Sequence, residues 1–517
     1  MRFFHMMWRG EDYQSPPVQR FARQINAVCG HRRMPWILFA LGLLRAVVSL
    51  LAYPPAHGAD SFAYFFYAQR FTGMAEVAGL SQLVPPLYPL FILATYGWLG
   101  SAYWLIGLQV LMSAAIVPLF YLALRRYSPV FAIGAALVIL LDFQVAVLFN
   151  FISTEPLYMF LLALSFWLFL RQSEAQKGEN TARDALPGFT LLLLMLTRAV
   201  GRFLIVPLLV VFWLRTRSWR RSLIFLAGFL ITLVAFSLIS GALLGEVEGT
   251  TSSDYMVTGV VLRNTSWLTA ENGPASAEFL DVRTACADRN FYDCYYSLYG
   301  SHDGMIGLIF NTLFETLAAN WQPFVGGIIE RTEDFLALSG QQFGLDPGLP
   351  SELQCADVDS FVDALTPETL LTRGWGWTWG IREFTDSNFE QFRELYRPMR
   401  GALCPPLPGS PLAKTAVDYL MFRYRSLARP QPFLWYGALT VLVLAVPWAR
   451  RYWLPFLTAM AFLFNHALAS AALSNVQPRY VVVANPFRAI LLVLLAYLIL
   501  KTGALLVDGM LRPKQPA

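Results

Sequence analysis

Charge is what this chain has least of. Asp, Glu, Lys and Arg make up 14% of its 517 residues, against 56% hydrophobic residues. With a mean hydropathy of +0.48, that balance excludes an ordinary soluble domain, in which about 25% of residues are charged, and implies a polytopic membrane protein. There is no Walker motif, no glycine fingerprint for a dinucleotide and no internal repeat, so chemistry driven by ATP is not indicated. A secretory signal is not expected either, because 34 polar and basic residues precede the first apolar run, too long an n-region for a signal peptide. Cysteine is scarce at five, but Cys286, Cys294, Cys355 and Cys404 fall in one segment. Two disulfides with three connectivities are the natural reading of that even number, and four unpaired thiols the alternative.

The charges that are present divide sharply. Between Glu246 and Arg429 there are 24 acidic and 13 basic residues, net −11, which leaves 10 acidic and 26 basic residues, net +16, elsewhere. A membrane body with basic cytoplasmic loops and one acidic domain on the other face produces such a split; a nucleic-acid partner does not. Spans of about 20 apolar residues whose inward ends carry Lys or Arg then give ten runs. They are Pro35–Tyr53, Tyr103–Leu124, Val130–Asn150, Pro156–Leu170, Leu186–Thr197, Phe203–Leu214, Leu223–Leu244, Phe433–Trp448, Leu454–Leu473 and Pro486–Leu505, with Leu87–Gly100 as a re-entrant or surface helix. The expected fold is therefore an all-α polytopic membrane protein with about ten transmembrane helices, surface-lying helices in its first external loop and a mixed external domain. Its parts are a basic cytoplasmic arm (1–34), an N-terminal membrane body (35–245, first external loop 54–90), an acidic external or periplasmic domain (246–430), three C-terminal spans (431–507) and a cytoplasmic tail (508–517).

On that topology five ionisable residues break the positive-inside pattern at one external level: Asp60, Glu155, Arg198, Arg202 and Arg479. Ionisable groups at membrane depth are expensive and so become candidates for function. Asp60 has no Lys or Arg within nine residues on either side and lies in an aromatic loop interrupted by Pro and Gly. The set suits transfer of a sugar from a lipid phosphate. A carboxylate takes the acceptor's proton or orients it, while planar guanidinium forks hold phosphate oxygens and stabilise the leaving charge. Plain readings stand beside these. Glu155 is also a favourable charge at a helix N-terminus, and Arg198 and Arg202 also suit lipid headgroups.

Gly58-Ala59-Asp60-Ser61 with Tyr64, Pro85-Pro86-Leu87-Tyr88-Pro89-Leu90, Thr154-Glu155-Pro156-Leu157, Leu196-Thr197-Arg198 and Pro478-Arg479-Tyr480 together resemble the GT-C superfamily. These are polyprenyl-phosphate-dependent glycosyltransferases, among them protein O-mannosyltransferases and lipid A aminoarabinose transferases. The resemblance covers roughly Pro35–Leu244 and Phe433–Leu505. It implies a membrane glycosyltransferase of inverting type, with Asp60 as catalytic base, Glu155 as a second catalytic acid, and Arg479, Arg198 and Arg202 as phosphate-binding residues. The partners it implies are a polyprenyl-phosphate-sugar donor, membrane lipids and a glycan, lipid or protein acceptor, at a bacterial inner or plasma membrane with both termini cytoplasmic. The adjacent second acid that many relatives carry in the first loop is absent here. A transporter or flippase of lipid-linked envelope intermediates is the alternative, disfavoured because the charges gather on one face rather than at midplane.

His57, Tyr64, Tyr88, Trp375 and Trp377 complete a candidate substrate pocket, the tryptophans equally suiting an interfacial aromatic belt. His57, Asp60 and Glu155 lack tight metal-ligand spacing, so neither a divalent metal nor another cofactor is expected. Asp142, inside the third run, and Asn465 and His466, inside the ninth, read as polar contacts between helices.

Overall fold

The computed structural model describes residues 16–57, 61–70, 85–174, 181–244, 268–286, 302–337, 358–364, 366, 386–404, 407–427, 433–473 and 478–510. In chain order these form α1 (Pro16–Cys29), α2 (Met34–Ala52), β1 (Ala56–His57), α3 (Ser61–Arg70), α4 (Leu87–Ile92, continued by a π-helical turn Leu93–Gly97), α5 (Ala102–Leu124), α6 (Pro129–Leu141), α7 (Phe143–Leu148), β2 (Phe151–Ile152) and α8 (Thr154–Ser173). There follow α9 (Ala185–Thr197), the 3₁₀ segment Ala199–Leu204, α10 (Ile205–Thr216) and α11 (Trp219–Leu244). Next come α12 (Pro274–Ala285), α13 (His302–Ala337), α14 (Val358–Asp363), α15 (Asp386–Arg400) and α16 (Pro411–Leu427), then α17 (Phe433–Ala445), α18 (Trp453–Leu473) and α19 (Pro478–Met510). Among the described residues the strands are confined to the parallel pair β1–β2, and the described part of the acidic segment is helical.

The chain is an all-α polytopic membrane protein. Among the described residues six helices are long and apolar enough to cross a membrane: Met34–Ala52, Ala102–Leu124, Thr154–Ser173, Trp219–Leu238, Ala449–Ala471 and Tyr480–Asp508. Every apolar run read from the sequence is helical, but α6, α9, α10 and α17 have only 12 or 13 residues, below the length that spans a bilayer alone. The expected third span is broken into α6 and α7 at Asp142, which ends one helix and caps the next by accepting a hydrogen bond from the Gln144 amide at 3.1 Å. Arg45 closes the open end of α6. Its guanidinium donates to the Ile139 carbonyl at 2.8 Å and to the Ser113 carbonyl and hydroxyl at 3.2 Å, putting a cation where the helix dipole favours one.

Burial separates the central posts from the lipid-facing ones. Protein covers 72% of the apolar window of α8 but only 22% of that of α11. The aromatic helix α3, expected on the membrane surface, is instead enclosed by protein: Tyr64, Phe65, Phe66, Tyr67 and Ala68 are all buried. Aromatic packing explains the difference, since Phe65 meets Tyr96 edge-on at 5.2 Å and Tyr64 meets Tyr88 at 5.2 Å, contacts stronger than area burial alone provides. Helices α9 and α11 cross so closely that a Cβ on Gly188 would lie 2.0 Å from the Phe225 carbonyl oxygen, and one on Gly228 2.2 Å from that of Ala185. Gly228→Val is therefore expected to force the helices apart and to lower stability by about 1–3 kcal/mol, read as a drop in thermal midpoint in detergent. An unchanged midpoint would contradict the close crossing.

In the acidic segment Cys286 and Cys404 each take part in a disulfide, and Cys294 and Cys355 lie outside the described residues. Helix α12 begins after Gly273 (φ +156°), a backbone conformation that suits glycine, and its capping acceptor comes from another helix. Glu315 of α13 accepts from the Ser276 amide at 2.7 Å, the Ser276 hydroxyl at 2.9 Å and the Ala275 amide at 3.1 Å. Burial by itself would raise the Glu315 carboxyl, but these donors outweigh it and hold the group below its ordinary range. A depressed carboxylate stabilises fully above its ordinary value, near pH 4.3, and loses that contribution as pH falls through its lower folded value. Hydrogen exchange at the Ala275 and Ser276 amides should therefore stay slow from neutral pH to about pH 4, after correction for the intrinsic rate, and accelerate below it. Glu315→Ala should remove the protection at every pH, at about 1 kcal/mol. Amides protected equally in that variant would remove Glu315 as the cap.

Candidate functional site

The site grows from the corner between α7 and α8. Residues 149–152 carry backbone groups that no helix satisfies, and two side chains and one backbone amide from three other elements take them up. Gln109 of α5 donates to the carbonyls of Phe149 at 2.7 Å and Phe151 at 2.9 Å. Ser61 donates its hydroxyl to the Ile152 carbonyl at 2.5 Å, and the Ala56 amide donates to the Asn150 carbonyl at 3.2 Å. Asn150 in turn ties the end of α2 by donating to the carbonyls of Ser49 at 3.0 Å and Tyr53 at 2.8 Å. The consequence is a rigid platform three residues before Glu155.

Glu155 lies in the first turn of α8 and is buried. Its Oε1 is 2.6 Å from Nη1 of Arg198, which ends α9 in extended backbone (φ −150°, ψ 130°) and so turns its side chain back to the start of α8. The same Nη1 donates to the Thr154 hydroxyl at 3.0 Å. The guanidinium lies 4.7 Å from the ring centre of Tyr480, in the first turn of α19, and 6.0 Å from that of Tyr158, within cation–π range of both. Three helix ends, from early, middle and late sequence, thus meet at one end of the bundle.

The expected residues divide as follows. Glu155 and Arg198 are brought together, and Arg202 is half-buried four residues on in the 3₁₀ segment. Arg479 is in the first turn of α19, directly before Tyr480, with its side chain outside the described set. Asp60, Trp375 and Trp377 lie outside the described residues, although both flanks of Asp60 are described. His57 is buried in β1, which pairs with 151–152, and Ser61 is hydrogen-bonded to Ile152. Tyr64 and Tyr88 are buried, but the Tyr88 hydroxyl is taken up by Gln109 Oε1 at 2.9 Å, which makes Tyr88 a strut of the platform rather than a pocket wall. Asp142 accepts from Asn485 Nδ2 at 3.0 Å, and Asn465 Nδ2 donates to the Val200 carbonyl at 3.4 Å, the interhelical contacts expected of them. Among the described residues no cluster of three or more His, Cys, Asp or Glu could hold a metal.

Two buried cations inside apolar helices were not singled out from the sequence: Arg45 in α2 and Arg488 in α19. The signal is present in the sequence, because an arginine within a membrane run is itself a functional candidate.

The molecule is thus a helical membrane protein with a buried acid–arginine pair at one end of its bundle. No family model matches the chain, and no curated protein matches it. Among solved structures, the crystal structure of ArnT from Cupriavidus metallidurans bound to undecaprenyl phosphate is similar over 92% of this chain and 79% of that one, at 15% identity and a TM-score of 0.37. A likeness of that size assigns no activity to this chain.

Proposed function

We infer that the chain is a GT-C-type membrane glycosyltransferase that moves a sugar from a polyprenyl-phosphate donor to an acceptor at the external face. The observation that carries this reading is the meeting of Glu155, Arg198 and Tyr480 at one bundle end, beside the platform to which both flanks of Asp60 are tied. Asp60 directly precedes Ser61 in the chain, and Ser61 is bonded to the platform.

In the proposed step an acceptor hydroxyl or amine attacks the anomeric carbon while the carbon–oxygen bond to phosphate breaks. The bonding pair leaves on the phosphate oxygen, the anomeric centre inverts, and the Asp60 carboxylate takes the acceptor's proton. Glu155 is better suited to orient Arg198 than to act as a base, because its Oε1 already faces a guanidinium at 2.6 Å. Arg198, with Arg202 and Arg479, then serves the sugar-phosphate end of the donor through charge-assisted hydrogen bonds. The test incubates purified protein with radiolabelled polyprenyl-phosphate sugars and candidate lipid, glycan and peptide acceptors. A labelled glycosidic product supports the reading. Movement of labelled lipid across a vesicle wall with no new glycosidic bond would replace it with a flippase.

A further inference from the structure

Arg488 sits two residues after Pro486 in α19 and is 5% exposed. Its Nη2 donates to the Phe335 carbonyl at 2.6 Å, and the guanidinium carbon lies 5.6 Å from the Phe335 ring centre. Its Nε and Nη1 are buried without a hydrogen-bond partner, and among the described residues no carboxylate forms an ion pair with it. Two other arginines of the bundle are provided for: Arg198 has Glu155, and Arg45 has three oxygen acceptors within 3.2 Å. Asp142 is in electrostatic range of both Arg45 and Arg488. A buried cation with two idle guanidinium nitrogens and one neutral acceptor is not a resting arrangement for a folded interior.

The polar atoms around it are idle as well. The Tyr436 hydroxyl, the Tyr158 hydroxyl and His466 Nε2 are buried without partners. The Tyr158 and His466 rings are 5.7 Å apart, His466 and Phe335 6.1 Å, and Tyr158 is in turn beneath Arg198, while Tyr436 is in electrostatic range of Arg488. Four elements, α8, α17, α18 and α19, thus turn unpartnered polar groups toward one region. Along α19, Arg488 is eight residues beyond Tyr480, about 12 Å deeper at 1.5 Å per residue.

We propose that Arg488 is an anion site which receives the phosphate of an isoprenoid lipid donor, with Tyr436 as a second donor and Tyr158 and His466 lining the way toward Arg198. This rests on the glycosyltransferase reading and deepens it: Arg488, whose Nε and Nη1 lack hydrogen-bond partners, adds a phosphate contact to that of Arg198, whose charge Glu155 already faces. Planar N–H pairs suit phosphate oxygens, and in a site without water such bonds are at their strongest.

The test measures binding to the full-length protein in detergent by native mass spectrometry and ligand-induced thermal shift. The three probes are undecaprenyl phosphate, the neutral undecaprenol and inorganic phosphate. Arg488→Met should weaken undecaprenyl phosphate binding about 100-fold, as loss of a buried charge contact does, and leave undecaprenol binding unchanged. Arg488→Lys should retain part of the affinity, and Tyr436→Phe, which removes one oxygen, should lose a few-fold even if both arginine variants misfold. Protection of wild type by inorganic phosphate at equal strength would make this a free-phosphate site and overturn the lipid assignment. Undecaprenyl phosphate binding within about threefold of wild type in folded Arg488→Met, or in Tyr436→Phe where neither arginine variant folds, would overturn the role of Arg488 and leave the glycosyltransferase reading standing. Wild type that binds no lipid phosphate at all would remove both.

Discussion

Asp60→Asn is expected to reduce sugar transfer by about 10²–10⁴-fold, the contribution of a positioned general base, while donor binding stays within about threefold. The substitution keeps shape and removes only the charge and the proton acceptor, so a loss confined to turnover marks chemistry rather than folding. The assay compares turnover with KM for the donor at saturating acceptor. Raising pH should restore part of the rate if the acceptor's own ionisation replaces the missing base. Transfer within tenfold of wild type would remove Asp60 from the mechanism, and a rise in KM with unchanged turnover would move it to donor binding.

Glu155→Ala should lower stability by about 3–5 kcal/mol, because it leaves the Arg198 guanidinium, only 15% exposed, without its carboxylate. The double variant Glu155→Ala with Arg198→Met should recover much of that loss, since removing both charges abolishes the uncompensated one. Thermal unfolding of the four proteins in one detergent gives the coupling directly. Additive losses would show that the pair is not coupled, and activity retained in the double variant would restrict both residues to architecture. Because the pair is buried, salt should change the coupling little.

Much of the architecture was legible in one dimension. Hydropathy runs and basic flanks located every long apolar helix from Met34–Ala52 to Pro478–Met510, since burial in lipid imposes a requirement that each segment meets by itself. The helix breaks were harder to read. Asp142 inside an apolar run looked like an expensive buried charge, and only its position between α6 and α7, bonded to Asn485 and the Gln144 amide, shows it to be a cap. Likewise the aromatic content of residues 61–70 suited a membrane surface as well as a protein interior; Tyr88, Tyr96 and the neighbouring helices decided for the interior.

By itself the sequence determined a helical membrane protein and a charge split between an acidic stretch (246–429) and a net-basic remainder, because composition and hydropathy are properties of contiguous residues. It also nominated Glu155 and Arg198, whose charges stand out against apolar neighbours. Tertiary structure alone decided that these two neutralise each other, that Tyr88 is spent on Gln109, and that the Nε and Nη1 of Arg488 are buried without a hydrogen-bond partner. Pairing depends on depth and rotation of helices far apart in sequence, and the energy of a buried charge is set by which groups arrive within about 4 Å of it, which no single segment encodes.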